Sequence, residues 1–177
     1  MKKEFISHRV SFKSKVRRFI WNFIWVLFFR SSPRVLFAWR SWLLNMFGAK
    51  IGPEVHIYPS VKVWAPWNLE MKKKSCLSDG VDCYSVDKIL IGEGATVSQY
   101  TFLCTASRDY SKTMQLVTAP IVIGDNVWVA ADVFVGPGVA IGDNSVVYAR
   151  STVINSVANN ALVAGSPAKF IKSIVRS

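Results

Sequence analysis

Residues 120–147 read PIVIGDNVWVAADVFVGPGVAIGDNSVV, and in this stretch an aliphatic residue returns at every sixth position: Ile123, Val129, Val135, Ile141 and Val147. A small or β-branched residue stands four positions after each: Val127, Val133, Val139 and Ser145. A short internal period of this kind marks a stacked architecture, because each repeat buries its apolar side only against its neighbours.

Working outward, the same frame holds through Val153 on one side and through Ile51-Gly52, Ile57, Val63, Ile91-Gly92, Val97 and Leu103 on the other. Three hexads close a triangular coil of about 18 residues, and successive coils stack one strand spacing apart, roughly 4.8 Å, with the aliphatic residue inward. The expected fold is therefore all-β: a parallel β-helix over residues 48–163. Ile-Gly pairs at 51, 91, 123 and 141 mark coil starts. Between them, residues 69–90 (LEMKKKSCLSDGVDCYSVDKIL) predict a looser coil in which the frame slips by about two residues. Residues 109–120 (DYSKTMQLVTAP) break the frame and predict a loop protruding at a coil corner, either functional or a tolerated insertion. At residues 164–169 (AGSPAK) the repeats stop, and residues 164–177 are expected to form a cap with a short C-terminal helix over the last open sheet edges.

Charge separates the first part of the chain from the rest. The chain carries a net +11, yet residues 1–50 hold eleven Lys/Arg against Glu4 alone, whereas residues 51–177 hold eleven basic and ten acidic residues. The near-neutral repeat region, and a basic segment that is bulky and apolar instead of Gly/Arg-rich, argue against nucleic-acid binding. Residues 19–29 (FIWNFIWVLFF) lie between Arg17-Arg18 and Arg30, with no small-residue cleavage site before Pro33 and Arg34, so a cleaved signal is not expected. As a helix at ~1.5 Å per residue the run reaches about 16 Å, short of the ~30 Å hydrocarbon core. Residues 1–47 thus predict an amphipathic helix or helix pair, lying in the interface of an anionic membrane or packing as a cap on the first coil. The two readings are compatible, and the expected location is cytoplasmic, at most peripheral on the inner face of the membrane. Cys76, Cys83 and Cys104 form an odd set without a CxxC pair, which argues against a disulfide framework or a zinc site and for a reducing compartment. Cys83 falls on an inward position and reads as a small core hydrophobe.

Residues 67–169, with PWNLEM, FLCTASRDY, the stretch quoted above and VAGSPAK, together with the preceding WLLNMFGAKIG, resemble the hexapeptide-repeat O-acetyltransferases of exopolysaccharide (colanic-acid-type) biosynthesis, relatives of the maltose and galactoside acetyltransferases. The resemblance implies a left-handed coil, acetyl-CoA as acyl donor, no metal, and a sugar or lipid-linked oligosaccharide acceptor. It also implies a homotrimer with each site in the cleft between neighbouring β-helices. Family members place a histidine before the protruding loop as general base on the acceptor hydroxyl, which is a poor nucleophile until its proton is taken. Here Arg108 stands at that place. Arginine stays protonated and offers donors only, so it cannot accept that proton, though it suits an anionic cofactor or acidic sugar. His8 lies in the basic tail, and His56 belongs to the first coil, two coil rises or about 10 Å below Arg108. Asp109 is a substitute base or an ordinary carboxylate. Asp82 and Tyr84 match the region where relatives contact the acceptor, turn roles being the alternative.

Trp128 is carried over as a substrate contact, and Ala130, Ala131, Ala149 and Gly165 as cofactor contacts where small side chains let a pantetheine arm approach the backbone. Lys169 is placed to meet phosphate. Small residues at tight corners are the alternative explanation. Ile154-Asn155 stands where relatives carry Thr-Lys, which removes one contact to the nucleotide end. A zinc enzyme of the γ carbonic anhydrase type, on the same fold, needs three histidines, and this chain has two. Two functional expectations remain open: an O-acetyltransferase, or a trimeric relative that binds acetyl-CoA or a glycan but has lost its base.

Overall fold

A computed structural model describes residues 6–7, 12–110 and 114–174. Short strands stack into three parallel walls. The first wall contains Lys50–Ile51, Leu69–Met71, Ile89–Ile91, Ile121–Ile123 and Ala140–Ile141; the second runs from His56–Ile57 to Ala161–Ala164; the third runs from Lys62–Val63 to Thr152–Val153. Register follows the repeat without slippage. Ile57, Leu77, Val97, Val129, Val147 and Val163 stand one above another, as do Val63, Cys83, Leu103, Val135 and Val153. These inward side chains are buried to 5% exposure or less. Each fully buried aliphatic contributes about 1.5–3 kcal/mol, but only once its neighbours above and below are in place.

Residues 69–90 correct one expectation. They hold a regular coil, Met71, Leu77 and Cys83 keeping the six-residue step. The extra residues sit at the corners on either side: Val63 to Met71 and Cys83 to Ile91 each span eight positions. The first insertion forms the 3-10 turn Pro66–Asn68.

The corner between the first and second walls is the most regular feature. Glu54, Lys74, Gly94, Asn126, Asn144 and Asn160 all have φ between 55° and 64°. From Lys74 onward each N–H donates to the carbonyl one coil below, at 2.7–3.1 Å. Asparagine tolerates this left-handed backbone better than most residues. The Ile-Gly pairs have a related cause. A Cβ on Gly92, Gly124 or Gly142 would fall within 3.0 Å of the Asp125, Asp143 or Asn159 side chain of the next coil. Those side chains accept from the N–H of Glu93, Asp125 and Asp143 at 2.8, 2.7 and 3.1 Å, so their place is occupied.

Both ends of the stack carry open edges that must be closed. Helix α1 (Phe12–Ile24) runs on through a π-helical turn, Trp25–Phe29, and α2 (Phe37–Met46) follows. Gly48, at φ 88°, ends α2 in a Schellman arrangement: its N–H donates to Asn45 O and that of Ala49 to Leu44 O. The helices cap the first coil with side chains. Trp21 Nε1 donates to Val63 O at 2.7 Å, Trp25 Nε1 to Val61 O at 2.8 Å, and Arg40 Nε to Ile57 O at 2.5 Å. Arg40 is fully buried and also donates to Ser32 Oγ, Pro33 O and Arg34 O. At the other end the described residues of the C-terminal segment hold no helix where one was expected: Lys169–Ser173 is a strand antiparallel to Ala161–Ala164, covering the last edge with backbone hydrogen bonds.

Candidate active site

The protruding segment begins earlier than the broken frame suggests. Ala106–Asp109 and Gln115–Thr118 form an antiparallel hairpin at the third corner, between the third and first walls. Ile6–Ser7 adds to its outer edge, Ile6 opposite Thr118. The hairpin is anchored at its root by Ala119 N–H to Thr105 O (3.0 Å) and by buried Thr105, whose hydroxyl donates to Tyr84 O (2.8 Å) and accepts from Asp87 N–H (2.9 Å). Arg108, exposed, stands opposite Leu116 and donates from a terminal guanidinium nitrogen to Met114 O at 2.9 Å. Asp109 is half-buried and accepts Met114 N–H at its carbonyl, 3.0 Å. His56 is no substitute base: it is on the second wall, its ring 4.5 Å from Phe37 of α2. His8 lies outside the described residues.

The carried-over cofactor residues collect at the second corner, between the second and third walls. Tyr148 N–H donates to Val163 O (3.0 Å) and Ala130 N–H to Val147 O (2.9 Å), while Arg150 N–H donates to Ala131 O (3.0 Å). These bonds place Ala131, Ala149 and Gly165 in one column, a coil apart, with Ala130 just inside it. Ala149 and Gly165 are exposed, Ala131 is half-buried and Ala130 is 7% exposed. Gly165, at φ 101°, needs the freedom of glycine, and its carbonyl accepts Thr152 N–H at 2.9 Å. Lys169 pairs with Ala164, so this exposed residue stands beside the column's upper end. Trp128 is on the outer face of the second wall, half exposed, its Nε1 donating to Ser98 Oγ at 3.1 Å. Within one protomer this column and the hairpin therefore occupy different corners.

Asp82 and Tyr84 face outward on the third wall, in the strand below Phe102–Cys104. An aromatic ladder climbs this face: Trp64 to Tyr84 is 5.6 Å between ring centroids, Tyr84 to Phe102 6.3 Å, and Phe102 to Phe134 5.8 Å. At its foot a groove of about 340 Å³ is lined by Trp21, Trp25, Lys62, Trp64, Asp82 and Tyr84. Arg18 lies over Trp64 at 3.9 Å. Burial holds the Asp82 carboxyl above the usual carboxylate range, and Lys62, paired beside it, opposes the shift. Trp21, Trp25, Lys62 and Trp64 were not singled out from the sequence. Only the aromatic type of the three tryptophans hinted at a role, and the partners of Trp25 and Trp21 lie 36 and 42 residues away. Burial also pushes the Cys83 thiol far above its ordinary range, so it stays neutral. Among the described residues no three His, Cys, Asp or Glu side chains converge on a metal position.

A triangular coil stack with glycine-dependent corners, a small-residue column and a hairpin at the third corner defines the hexapeptide-repeat class. The profile described as "Bacterial transferase hexapeptide (six repeats)" matches residues 120–155. The chain belongs to the hexapeptide-repeat acetyltransferases. It is 43% identical over 159 residues, 89% of this chain and 87% of the relative, to the provisionally named colanic acid biosynthesis acetyltransferase WcaF of Escherichia coli strain K12. The galactoside O-acetyltransferase of the same organism is 37% identical over 97 residues, 53% of this chain and 47% of that protein. Among solved structures, a maltose O-acetyltransferase from Clostridium difficile 630 superposes with a TM-score of 0.87 at 21% identity, covering 98% and 94% of the two chains. The Vibrio cholerae acetyltransferase VCA0836 complexed with acetyl-CoA superposes with 0.85 at 24%, covering 94% and 91%.

Proposed function

We propose that the protein transfers the acetyl group of acetyl-CoA to a sugar hydroxyl during exopolysaccharide or capsule assembly, and that it works as a homotrimer. The carrying observation is the 43% identity, over 89% of the chain, to a relative named for colanic acid biosynthesis. The second-corner column fits a slender acyl-pantetheine chain, since Ala131, Ala149 and Gly165 place nothing larger than a methyl group between it and the backbone amides. Lys169 at the column's end suits phosphate as a point charge. Acetyl-CoA supplies the thioester carbon that the acceptor oxygen attacks. The column and the hairpin occupy different corners of one protomer, so a neighbouring copy brings its hairpin to the column and completes the cleft.

For the acceptor, the Trp64–Tyr84 platform offers apolar faces to sugar C–H groups, and the Asp82 carboxylate accepts hydroxyl hydrogen bonds. The hydroxyl proton must leave as the oxygen attacks. Arg108 cannot take it, and its guanidinium stabilises negative charge instead. Asp109, next in sequence, is the carboxylate to which we assign the proton. A second reading, favoured by the absence of histidine from the described hairpin residues, is that the chain binds acetyl-CoA or a glycan and turns over poorly. Calorimetry with acetyl-CoA, run beside coenzyme A release and mass spectrometry of candidate oligosaccharides, separates the readings. Transferase function predicts binding together with one acetyl mass on the acceptor. Binding without transfer selects the second reading, and no binding removes the transferase and leaves only a glycan-binding form of the second.

A further inference from the structure

Helices α1 and α2 use one side of themselves to cap the first coil, and their other side is also apolar. On α1, Val16, Phe19, Ile20 and Phe23 follow the i, i+3, i+4, i+7 spacing of a single face. They point away from the β-helix: Phe19 is 76% and Phe23 60% exposed, whereas Trp21 is fully buried. On α2, Trp39, Trp42 and Met46 form the matching outer face, the two indoles stacked at 5.1 Å. The faces adjoin, because Trp39 Nε1 donates to Phe28 O at 3.0 Å across the turn between the helices. Val35, 78% exposed, sits in that turn. Exposed apolar surface this continuous marks an interaction site.

The charge around it says what kind. No acidic residue lies between Glu4 and Glu54, while Lys13, Lys15 and Arg30 are exposed beside the face and Arg17 turns the other way, donating to Phe47 O and lying over Trp67. A second copy docking face to face would bring like charges together. A bilayer with anionic headgroups meets both features, with aromatic side chains at headgroup depth and cations on the phosphates. No described helix is long and apolar enough to cross a membrane. We infer that the outer face of α1 and α2 is a membrane-interface surface that seats the first-coil end of the β-helix on an anionic bilayer. This inference is independent of the transferase reading.

The test is co-sedimentation of the full chain with phosphatidylcholine vesicles, with and without about one-third phosphatidylglycerol. Deleting the segment would uncover the Val61, Val63 and Ile57 carbonyls and confound the result, so point variants are used. Binding is expected to be at least tenfold stronger to the anionic vesicles and to weaken as salt is raised. F19S/F23S should reduce it at least tenfold while leaving the melting temperature and the light-scattering mass of the vesicle-free protein unchanged. Equal binding to neutral vesicles, indifference to the double variant, or a light-scattering mass that falls in the variant without any vesicle binding by the parent overturns the inference. The last outcome would make the face a contact between copies.

Discussion

The first and third corners of the coil solve the same problem, turning the chain from one wall to the next, in opposite ways. At the first corner every coil carries a left-handed residue, and four coils place a glycine before it, at 52, 92, 124 and 142; from Gly92 upward an Asp or Asn side chain of the next coil occupies the space that glycine leaves. At the third corner no such device recurs. Ser85 and Thr105 hydroxyls instead bond the backbone of the coil below, Ser85 accepting from Ala65 N–H and Thr105 donating to Tyr84 O, and the connection stretches from six positions between Val135 and Ile141 to twenty between Leu103 and Ile123. A corner in which every turn is fitted against the glycine and side chain of its neighbour cannot lengthen in one coil without disturbing the next, whereas a corner tied to the coil below by one hydroxyl at its start, as at Ser85 and Thr105, leaves the rest of the connection free to lengthen. Insertions, and with them Arg108 and Asp109, therefore collect at the third corner, while the column of Ala131, Ala149 and Gly165 stays on a regular one.

The comparison breaks first on stability. Gly124→Ala should cost about 3 kcal/mol, at the upper end of overpacking effects, because its Cβ meets the Asp143 side chain and backbone; a melt that shifts by under a degree would show the first corner to be pliable. Next is Ala149→Trp, which should fold normally, since Ala149 is exposed, and lose on the order of a hundredfold in acetyl-CoA affinity, about 2.7 kcal/mol. Unchanged calorimetric affinity would move the cofactor off the second corner.

Asp82→Asn sharpens the account at the third wall. Burial raises the Asp82 pKa, so this group favours the folded state at low pH and costs stability as pH rises through its folded value. The Asn variant should therefore melt higher than the parent at neutral pH while its acceptor KM rises about tenfold, the loss of one charged hydrogen bond. In the parent, acceptor KM should climb as pH falls through the raised pKa, and a flat KM profile would remove Asp82 from the site. The smallest effect is Gly136→Ala, where the nearest atoms to a Cβ are 3.4 Å away and belong largely to movable side chains. It should change stability by no more than about 0.5 kcal/mol, measured by denaturant titration beside Gly124→Ala.

Much of the stack is legible in the chain because its period is local: Ile123, Val129, Val135 and Ile141 announce their walls without knowledge of any partner. The coil through Met71, Leu77 and Cys83 is harder to see, since Met and Cys replace the usual Ile and Val and Lys72 replaces the glycine. That residues 1–47 cap the first coil is among the expectations, but the pairings that do it are opaque for another reason. Arg40 closes Ile57 O, and Trp21 closes Val63 O, across 17 and 42 residues, and no local pattern encodes such pairings. The C-terminal segment became a strand because the open edge of Ala161–Ala164 offers a row of backbone partners, an influence stronger than the weak helical preference of six residues. At the site, Arg108 and the Ala131–Ala149–Gly165 column were visible through family resemblance, whereas the Lys62–Asp82 pairing and the Trp64 platform arise only when coils stack.

The central claim is that the third-corner hairpin supplies the acceptor chemistry and that Arg108 cannot be its base. The direct measurement is the rate of coenzyme A release by the parent, by Arg108→His and by Asp109→Asn, with acetyl-CoA affinity measured on the same samples. General-base assistance is worth about 10²–10⁴ in rate, so with Asp109 as base Asp109→Asn should abolish turnover and Arg108→His should gain little, whereas a chain in which no base has replaced the histidine should gain at least tenfold from Arg108→His; acetyl-CoA affinity stays unchanged in both. A parent that is already fast, and indifferent to both Arg108→His and Asp109→Asn, would contradict the account and place the base elsewhere in the cleft.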